Sequence, residues 1–285
     1  MARPQIEFLH AQQLPWTPAG FGGPIWRSVQ MKQLSEDPTS GACSLLLSLP
    51  AGFAVAEHRL AAGQEFLVLD GSFEIDGQDY TLDCYGYLPT SMPRRSWSSR
   101  EGAVLLCFFD ARPNCVEQEG DAPTEQAWDR SQLIRCIDTH NTPWTRHDID
   151  PSVQFLNLAH KVLRHIPATG EKTLLLSSGA QTHPRNWREA QLQHDCAEEM
   201  YLLGGDIIGE RGTIYEGGYF WRPPGQWHGP FGSRRGSLSL IRFCEGHHQN
   251  LWSDQPQPFT LTPRHAPELP LPYRSCLPAW LPPRY

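Results

Sequence analysis

Long apolar runs, basic runs and closely paired cysteines are all missing from this sequence of 285 residues. No stretch approaches the roughly 20 apolar residues that a membrane-spanning helix needs, and the N-terminus lacks the apolar segment of a signal peptide. A net charge of −7 without a basic run argues against a nucleic-acid partner. The eight cysteines show no CxxC pair and no disulfide-scaffold spacing, so we expect free thiols and a cytoplasmic protein that contacts no membrane.

Turn-forming residues are abundant instead. The chain has 26 prolines and 24 glycines, which favour many turns and short strands over long helices. Its 12 phenylalanines and 10 tryptophans can fill a core. This composition, with short apolar runs between the turns, predicts an all-β fold of the sandwich or barrel type.

An internal duplication organises the chain. Residues 32–48 recur at 161–177 with a constant offset of 129. Further on, Glu65 aligns with Glu199 and Phe109 with Phe243, an offset of 134. We therefore expect two homologous domains over residues 1–130 and 131–250.

Two further segments stand outside the repeat. The acidic, polar stretch Glu117–Asp121 is interpreted as a linker between the two domains. Residues 251–285 are rich in proline and are expected to form an extended tail that wraps a surface.

The second repeat carries a set of potential metal ligands. His194 and Glu198 precede a strand-like run, and His228 follows a Pro-x-Gly turn after a neighbouring one. Two histidines and one carboxylate leave coordination positions open for water, substrate or O₂. Such a set suits Fe(II) best, with Mn, Ni, Cu or Zn as alternatives. Each histidine alone is more often a surface or core residue, and the three together favour one divalent metal ion.

The spacing of these residues resembles the paired motifs of the cupin superfamily. His194-x3-Glu198-x6-Gly205 is similar to the end of the first motif, and Gly217-x5-Pro223-x-Gly225-x2-His228 is similar to the whole of the second. With the duplication, the chain resembles a bicupin, which implies two tandem jelly-roll barrels. Its double glutamate resembles the ChrR-like and acetylacetone-dioxygenase-like cupins. Members of the superfamily usually bind metal with three histidines and one glutamate.

One position departs from that motif. Leu192 stands where the resemblance implies the first histidine. The site either has three protein ligands or is completed from elsewhere, and His183, in the five-residue insertion of the second repeat, is the candidate. The alternative for His183 is a loop residue before Pro184.

The first repeat has lost this ligand set. His58, Leu60, Gln64 and Arg94 occupy the positions of Leu192, His194, Glu198 and His228. A guanidinium is always charged and repels a cation. We interpret domain 1 as a structural partner that covers sheet edges. An anion pocket built on Arg94 or Arg95 is the alternative.

Several neighbouring residues are candidates for a substrate pocket. Cys196 is a ligand, a redox-sensitive thiol or a packing residue, and Glu199 is an outer hydrogen-bonding partner or a solvated strand residue. Tyr219 and Trp221 line an aromatic pocket or belong to an ordinary core. Arg222 and Arg242 hold a substrate carboxylate or enolate, or form structural ion pairs.

Three functions remain open. The first is a mononuclear metal dioxygenase, or a related lyase or isomerase, that acts on a small oxygenated organic molecule; its catalytic residues are unknown. The second is a metal- or ligand-binding sensor of the ChrR type without catalysis. The third is a metal-free storage or scaffold protein. By family analogy the protein is a candidate homodimer.

Overall fold

The computed structural model describes residues 3–116 and 128–276, so the expected linker at 117–121 lies outside the described residues. The strands are β1 (Ile6–His10), β2 (Thr17–Pro18), β3 (Gln30–Glu36), β4 (Cys43–Leu49), β5 (Phe53–Val55), β6 (Gln64–Ile75), β7 (Gln78–Thr81), β8 (Cys84–Leu88), β9 (Trp97–Ser99), β10 (Ala103–Phe109), β11 (Ile134–Asp138), β12 (Ala159–His165), β13 (Lys172–Ser178), β14 (Arg188–His194), β15 (Ala197–Gly209), β16 (Gly212–Tyr215), β17 (Gly218–Arg222), β18 (Ser237–Cys244) and β19 (Asn250–Pro258). Short 3-10 helices cover Ala11–Gln13, Pro24–Trp26, Arg130–Gln132, Pro151–Leu156 and Leu271–Tyr273. Within the two described ranges, no helix is long and apolar enough to cross a membrane.

The chain divides into two compact units. Unit 1 comprises Met1–Arg3 and Pro15–Thr142, and unit 2 comprises Pro4–Leu14 and Pro143–Tyr285. These ranges differ from the expected domains 1–130 and 131–250 at both ends. The reason is strand pairing: β1 pairs with β17 in unit 2, and β11 pairs with β8 in unit 1. The first strand of each repeat therefore belongs to the sheet of the other repeat.

The two large sheets have the same strand order. Unit 1 contains a ten-stranded sheet along the path β11-β8-β6-β10-β4-β3-β2, and unit 2 a seven-stranded sheet along β1-β17-β15-β18-β13-β12. The alignment of the repeats equates β8 with β17, β6 with β15, β10 with β18, β4 with β13 and β3 with β12. The order of these strands is identical in both sheets, so the fold is the tandem all-β duplication expected from the sequence.

A pair of glycines recurs at the same bend in each unit. Gly71 in β6 and Gly205 in β15 have positive φ angles of 69° and 82°. A Cβ at Gly71 would lie 2.1 Å from the carbonyl oxygen of Gly102, and one at Gly205 would lie 1.9 Å from that of Gly236. Only glycine tolerates both the left-handed backbone and this close approach. Both strands continue through these glycines to pair with β7 and β16.

The proline-rich end of the chain also contains a strand. β19 pairs antiparallel with β14, which corrects the expectation that residues 251–285 are only an extended tail. β19 pairs with one neighbouring strand in this two-stranded sheet, so one of its sides needs no backbone hydrogen bonds. Pro256 and Pro258, which lack a backbone N–H group, are tolerated on that side.

One expectation about cysteine is wrong. Cys84 and Cys136 form a disulfide in unit 1, where β8 and β11 pair. Their sequence separation of 52 conceals this proximity. The other described cysteines are free.

Candidate metal centre

Three side chains converge where strands of unit 2 end. His194 is the last residue of β14, and Glu198 is the second residue of β15. His228 follows β17 and is held to β14 by two backbone hydrogen bonds with Leu192, of 3.0 and 2.9 Å. The bend at Asp195 and Cys196, which separates the two strands, lets His194 and Glu198 approach each other.

The distances among the three side chains suit one small cation. Nε2 of His194 and Nε2 of His228 each lie 3.8 Å from Oε2 of Glu198, and the ligand atoms of all three residues lie within 4.8 Å of one another. Two ligand atoms that share an ion at about 2.1 Å each are separated by at most about 4.2 Å. The 3.8 Å separations are too long for hydrogen bonds and short enough for a shared ion. The donor set therefore fits a divalent transition metal with a shift of a few tenths of an ångström.

Backbone carbonyl groups orient both imidazole rings. Nδ1 of His228 lies 2.8 Å from the carbonyl oxygen of Gln226, and Nδ1 of His194 lies 3.3 Å from that of Gln249. A ring that donates from Nδ1 presents an unprotonated Nε2, which is the form that binds metal. Both Nε2 atoms face Glu198, so the local backbone selects the tautomer that ligation needs.

Arg222 links the carboxylate to an acidic residue from the start of the chain. Its Nη1 donates to Oε2 of Glu198 at 2.9 Å, while Nε and Nη2 donate to the two carboxylate oxygens of Glu7 at 2.5 Å each. All three side chains are buried. β1 brings Glu7 to this position because it pairs with β17. Sequence reasoning missed Glu7, since nothing in the repeat indicates that the first strand joins the second sheet.

The electrostatics keep the Glu198 carboxylate charged and the His228 ring neutral. Burial raises the pKa of Glu198, but Arg222, His194 and His228 outweigh burial and lower that pKa to about 2. Burial and then Arg222 lower the pKa of His228 to about 3. An ionised carboxylate and a neutral imidazole are the protonation states of metal ligands.

The candidate fourth ligand lies elsewhere. Nε2 of His183 contacts the carbonyl oxygen of Phe231, and its ring packs 4.0 Å from that of Phe259. The group of converging ligand atoms in the described chain does not include His183. His248, which sequence reasoning missed, instead packs its ring 4.5 Å from His194 and 3.7 Å from Phe243. It follows the glycine turn after β18, outside both motifs.

A cavity of about 120 Å³ opens beside Glu198, one of the three side chains. Glu198 and Arg222 form its charged end, and the remaining walls are apolar side chains with one glycine and three serines. These are Leu156, Leu158, Leu176, Ser178, Met200, Ile207, Phe220, Phe231, Gly232, Ser237, Ser239 and Ile241. Of the predicted pocket candidates, Arg222 alone lines this cavity.

The other pocket candidates have structural contacts. Tyr219 and Arg242 both donate hydrogen bonds to Glu199, which is 1% exposed. Trp221 pairs with Glu199 across β15 and β17, so it lies on the same face, opposite to that of Glu198 and Arg222. Cys196 packs in the apolar core of unit 2, where burial raises the pKa of its thiol to about 12. The cavity walls come from the opposite strand face, so Tyr219 and Trp221 do not line this cavity.

Unit 1 repeats the backbone of this centre with other side chains. His58 and Arg94 form two backbone hydrogen bonds of 2.9 and 3.0 Å, as Leu192 and His228 do. Nη1 of the buried Arg94 donates to Oε1 of Gln64 at 2.7 Å. Arg95, the other residue considered for an anion pocket, is exposed. A guanidinium with an amide thus stands where unit 2 has an imidazole and a carboxylate.

Comparison with known proteins finds one matching family and several solved structures with a similar fold. Residues 5–111 match the family described as the ChrR cupin-like domain. A candidate dioxygenase from Nostoc punctiforme PCC 73102 superposes with a TM-score of 0.73 at 19% identity, covering 91% of this chain and 92% of that one. The chain has the bicupin fold. The strand order, the internal duplication and these superpositions all agree on that fold.

Two further structures resemble the bicupin more distantly. A candidate glyoxylate-induced protein from Pseudomonas aeruginosa has a TM-score of 0.56 at 10% identity, covering 87% of this chain and 92% of its own. A deletion variant of oxalate decarboxylase from Bacillus subtilis has a TM-score of 0.53 at 10% identity, covering 86% and 79%. At these identities the likeness establishes the fold alone. No curated protein matches the sequence.

Proposed function

We propose that the C-terminal barrel of this bicupin binds one divalent transition metal ion through His194, Glu198 and His228. The convergence of these three buried side chains, with Glu198 in the wall of a cavity, is the observation that carries the proposal. Fe(II) is the expected ion, because two imidazoles and one carboxylate are the donor set of mononuclear non-haem iron oxygenases, and Mn, Ni, Cu and Zn are alternatives.

The proposed activity is that of a metal-dependent enzyme, a dioxygenase or a related lyase or isomerase, acting on a small oxygenated organic molecule. The bound ion would supply open positions for a substrate oxygen and for O₂. Arg222 holds the Glu198 carboxylate in place, and the carbonyl groups of Gln226 and Gln249 hold the two rings. The apolar walls exclude water from the space beside the carboxylate.

The function test is O₂ uptake by iron-loaded protein against a panel of small diketones and hydroxy-acids. We expect His194→Ala and His228→Ala to abolish turnover of any active substrate, while His183→Ala retains it. Full activity in the His194→Ala, His228→Ala double variant would refute the proposal.

A non-catalytic sensor of the ChrR type is the alternative, and the family match over residues 5–111 favours it. Metal would then serve a structural or signalling role. The two readings differ in one observable: a sensor binds metal with the same three residues but shows no metal-dependent turnover across the panel.

A further inference from the structure

The charges at the proposed centre can be counted side chain by side chain. Arg222 donates to both oxygens of Glu7, a fork that an ionised carboxylate accepts, and its remaining nitrogen donates to Glu198. An imidazole that binds a metal ion is neutral, so His194 and His228 add no charge to the loaded centre. Two carboxylates and one guanidinium leave one net negative charge, so a divalent ion leaves one net positive charge.

Few other charges influence this balance. Glu210 lies near enough to act on Glu7 and Arg222, but it is exposed, so water screens it. Among the described residues that line the cavity, Glu198 and Arg222 are the ones that carry charge. A buried site with one net positive charge is neutralised by a single negative charge, and a second would be buried without a partner.

The cavity walls indicate what kind of ligand body fits beside the centre. Leucine, isoleucine, methionine and phenylalanine side chains surround the space. Its three hydroxyl groups have partners already: Ser178 and Ser237 bond to each other at 2.6 Å, and Ser239 donates to the carbonyl oxygen of Leu176. An apolar surface of this kind favours a hydrocarbon body over a polar one.

We propose that the centre selects small monoanionic oxygen chelators with a short hydrocarbon body, and rejects dianions of the same size. This inference rests on the proposed metal site and adds its substrate class. Arg222 is central to it, because a guanidinium already held by Glu7 and Glu198 does not serve a second substrate carboxylate.

The test uses the full-length protein loaded with Co(II), whose visible absorption reports both metal uptake and ligand binding. The probes are pyruvate, 2-oxobutanoate and 2-oxopentanoate, which share one head group, and 2-oxoglutarate, which has a carboxylate in place of the terminal methyl group of 2-oxopentanoate. We expect affinity to rise about fourfold per methylene along the monoanions. We expect 2-oxoglutarate to bind at least about 100-fold more weakly than 2-oxopentanoate.

A matched pair of variants tests the role of charge directly. Glu7→Gln adds one net positive charge to the centre, so the affinity ratio of 2-oxoglutarate to 2-oxopentanoate should rise at least about tenfold. Glu268→Gln, an exposed carboxylate on the segment that pairs with Glu7, should leave the ratio unchanged. If Glu7→Gln fails to fold, the wild-type comparison of the two probes decides alone.

The Co(II) experiment distinguishes failure of the charge selectivity from failure of the metal site. Absence of Co(II) uptake would refute the metal site and the inference together. Uptake of Co(II) with 2-oxoglutarate bound as tightly as 2-oxopentanoate, or with no gain along the monoanions, would refute the inference and leave the metal site standing.

Discussion

At the scale of single residues, the two repeats differ at the positions that matter chemically while keeping the same backbone. Leu192 and His228 in unit 2, and His58 and Arg94 in unit 1, form equivalent pairs of backbone hydrogen bonds. Glu198 is replaced by Gln64, which accepts from Arg94. We expect the positive guanidinium at the equivalent place in unit 1 to exclude a cation from that barrel.

His58 provides a prediction about pH. It is 7% exposed, and burial, opposed by a hydrogen bond to Ala56, lowers its pKa to about 4. The unfolded chain binds a proton near pH 6.5 and the folded one does not, so the free energy of unfolding falls as pH drops from about 6.5 to 4. His58→Gln should remove about 1 kcal/mol of the loss between pH 7.5 and 5. Denaturant unfolding at the two pH values measures it. Replacing the exposed His165 with glutamine should change nothing, and equal pH dependence in His58→Gln and wild type would contradict the account.

At the scale of elements, β1 does more than extend a sheet. Its Glu7 carries the ion pair that neutralises Arg222, and its His10 accepts a hydrogen bond from the backbone N–H of Tyr215 through Nε2. The pairing of β1 with β17 brings the side chains of Glu7 and His10 into unit 2. This short strand therefore links the start of the chain to the proposed centre.

Removal of the Glu7 carboxylate should destabilise unit 2. Glu7→Ala leaves the buried guanidinium of Arg222 with half of its partners, which should cost about 3–5 kcal/mol of unfolding free energy. Urea unfolding followed by tryptophan fluorescence measures the loss. Glu268→Ala, which removes an exposed partner of Arg211, should change stability by less than about 0.5 kcal/mol. Similar stabilities for the two variants would show that the buried pair is not needed.

At the scale of the whole molecule, the exchange of first strands determines which fragments can fold. A chain cut at the expected boundary, residues 1–130, lacks β11 and retains a β1 that has no β17 to pair with. A chain of residues 15–142 contains all the strands of unit 1, including the Cys84–Cys136 pair.

We therefore expect residues 15–142 to unfold cooperatively on heating and residues 1–130 to be less stable or aggregated. An unpaired β8 edge in the shorter fragment offers backbone groups to other chains. Thermal unfolding by circular dichroism and size-exclusion chromatography compare the two. Equal behaviour would contradict the strand exchange.

Much of this arrangement could be predicted from the sequence, and the rest could not for a physical reason. The duplication, the all-β barrels and the nearness of His194, Glu198 and His228 follow from local spacing, because strands and tight turns have short periods. Glu7, His248 and the Cys84–Cys136 pair depend on strand partners far along the chain. The cavity walls also depend on distant segments, since Leu156, Phe220 and Phe231 come from different parts of the chain.

Metal analysis of protein purified from cells without added metal tests the central claim most directly. Wild type and His183→Ala should each contain about one equivalent of a transition metal, with iron expected, and His228→Ala and Glu198→Gln should contain almost none. Circular dichroism of all four proteins confirms that they are folded. A wild-type protein without metal, even after reconstitution, or equal metal in His228→Ala, would contradict the account.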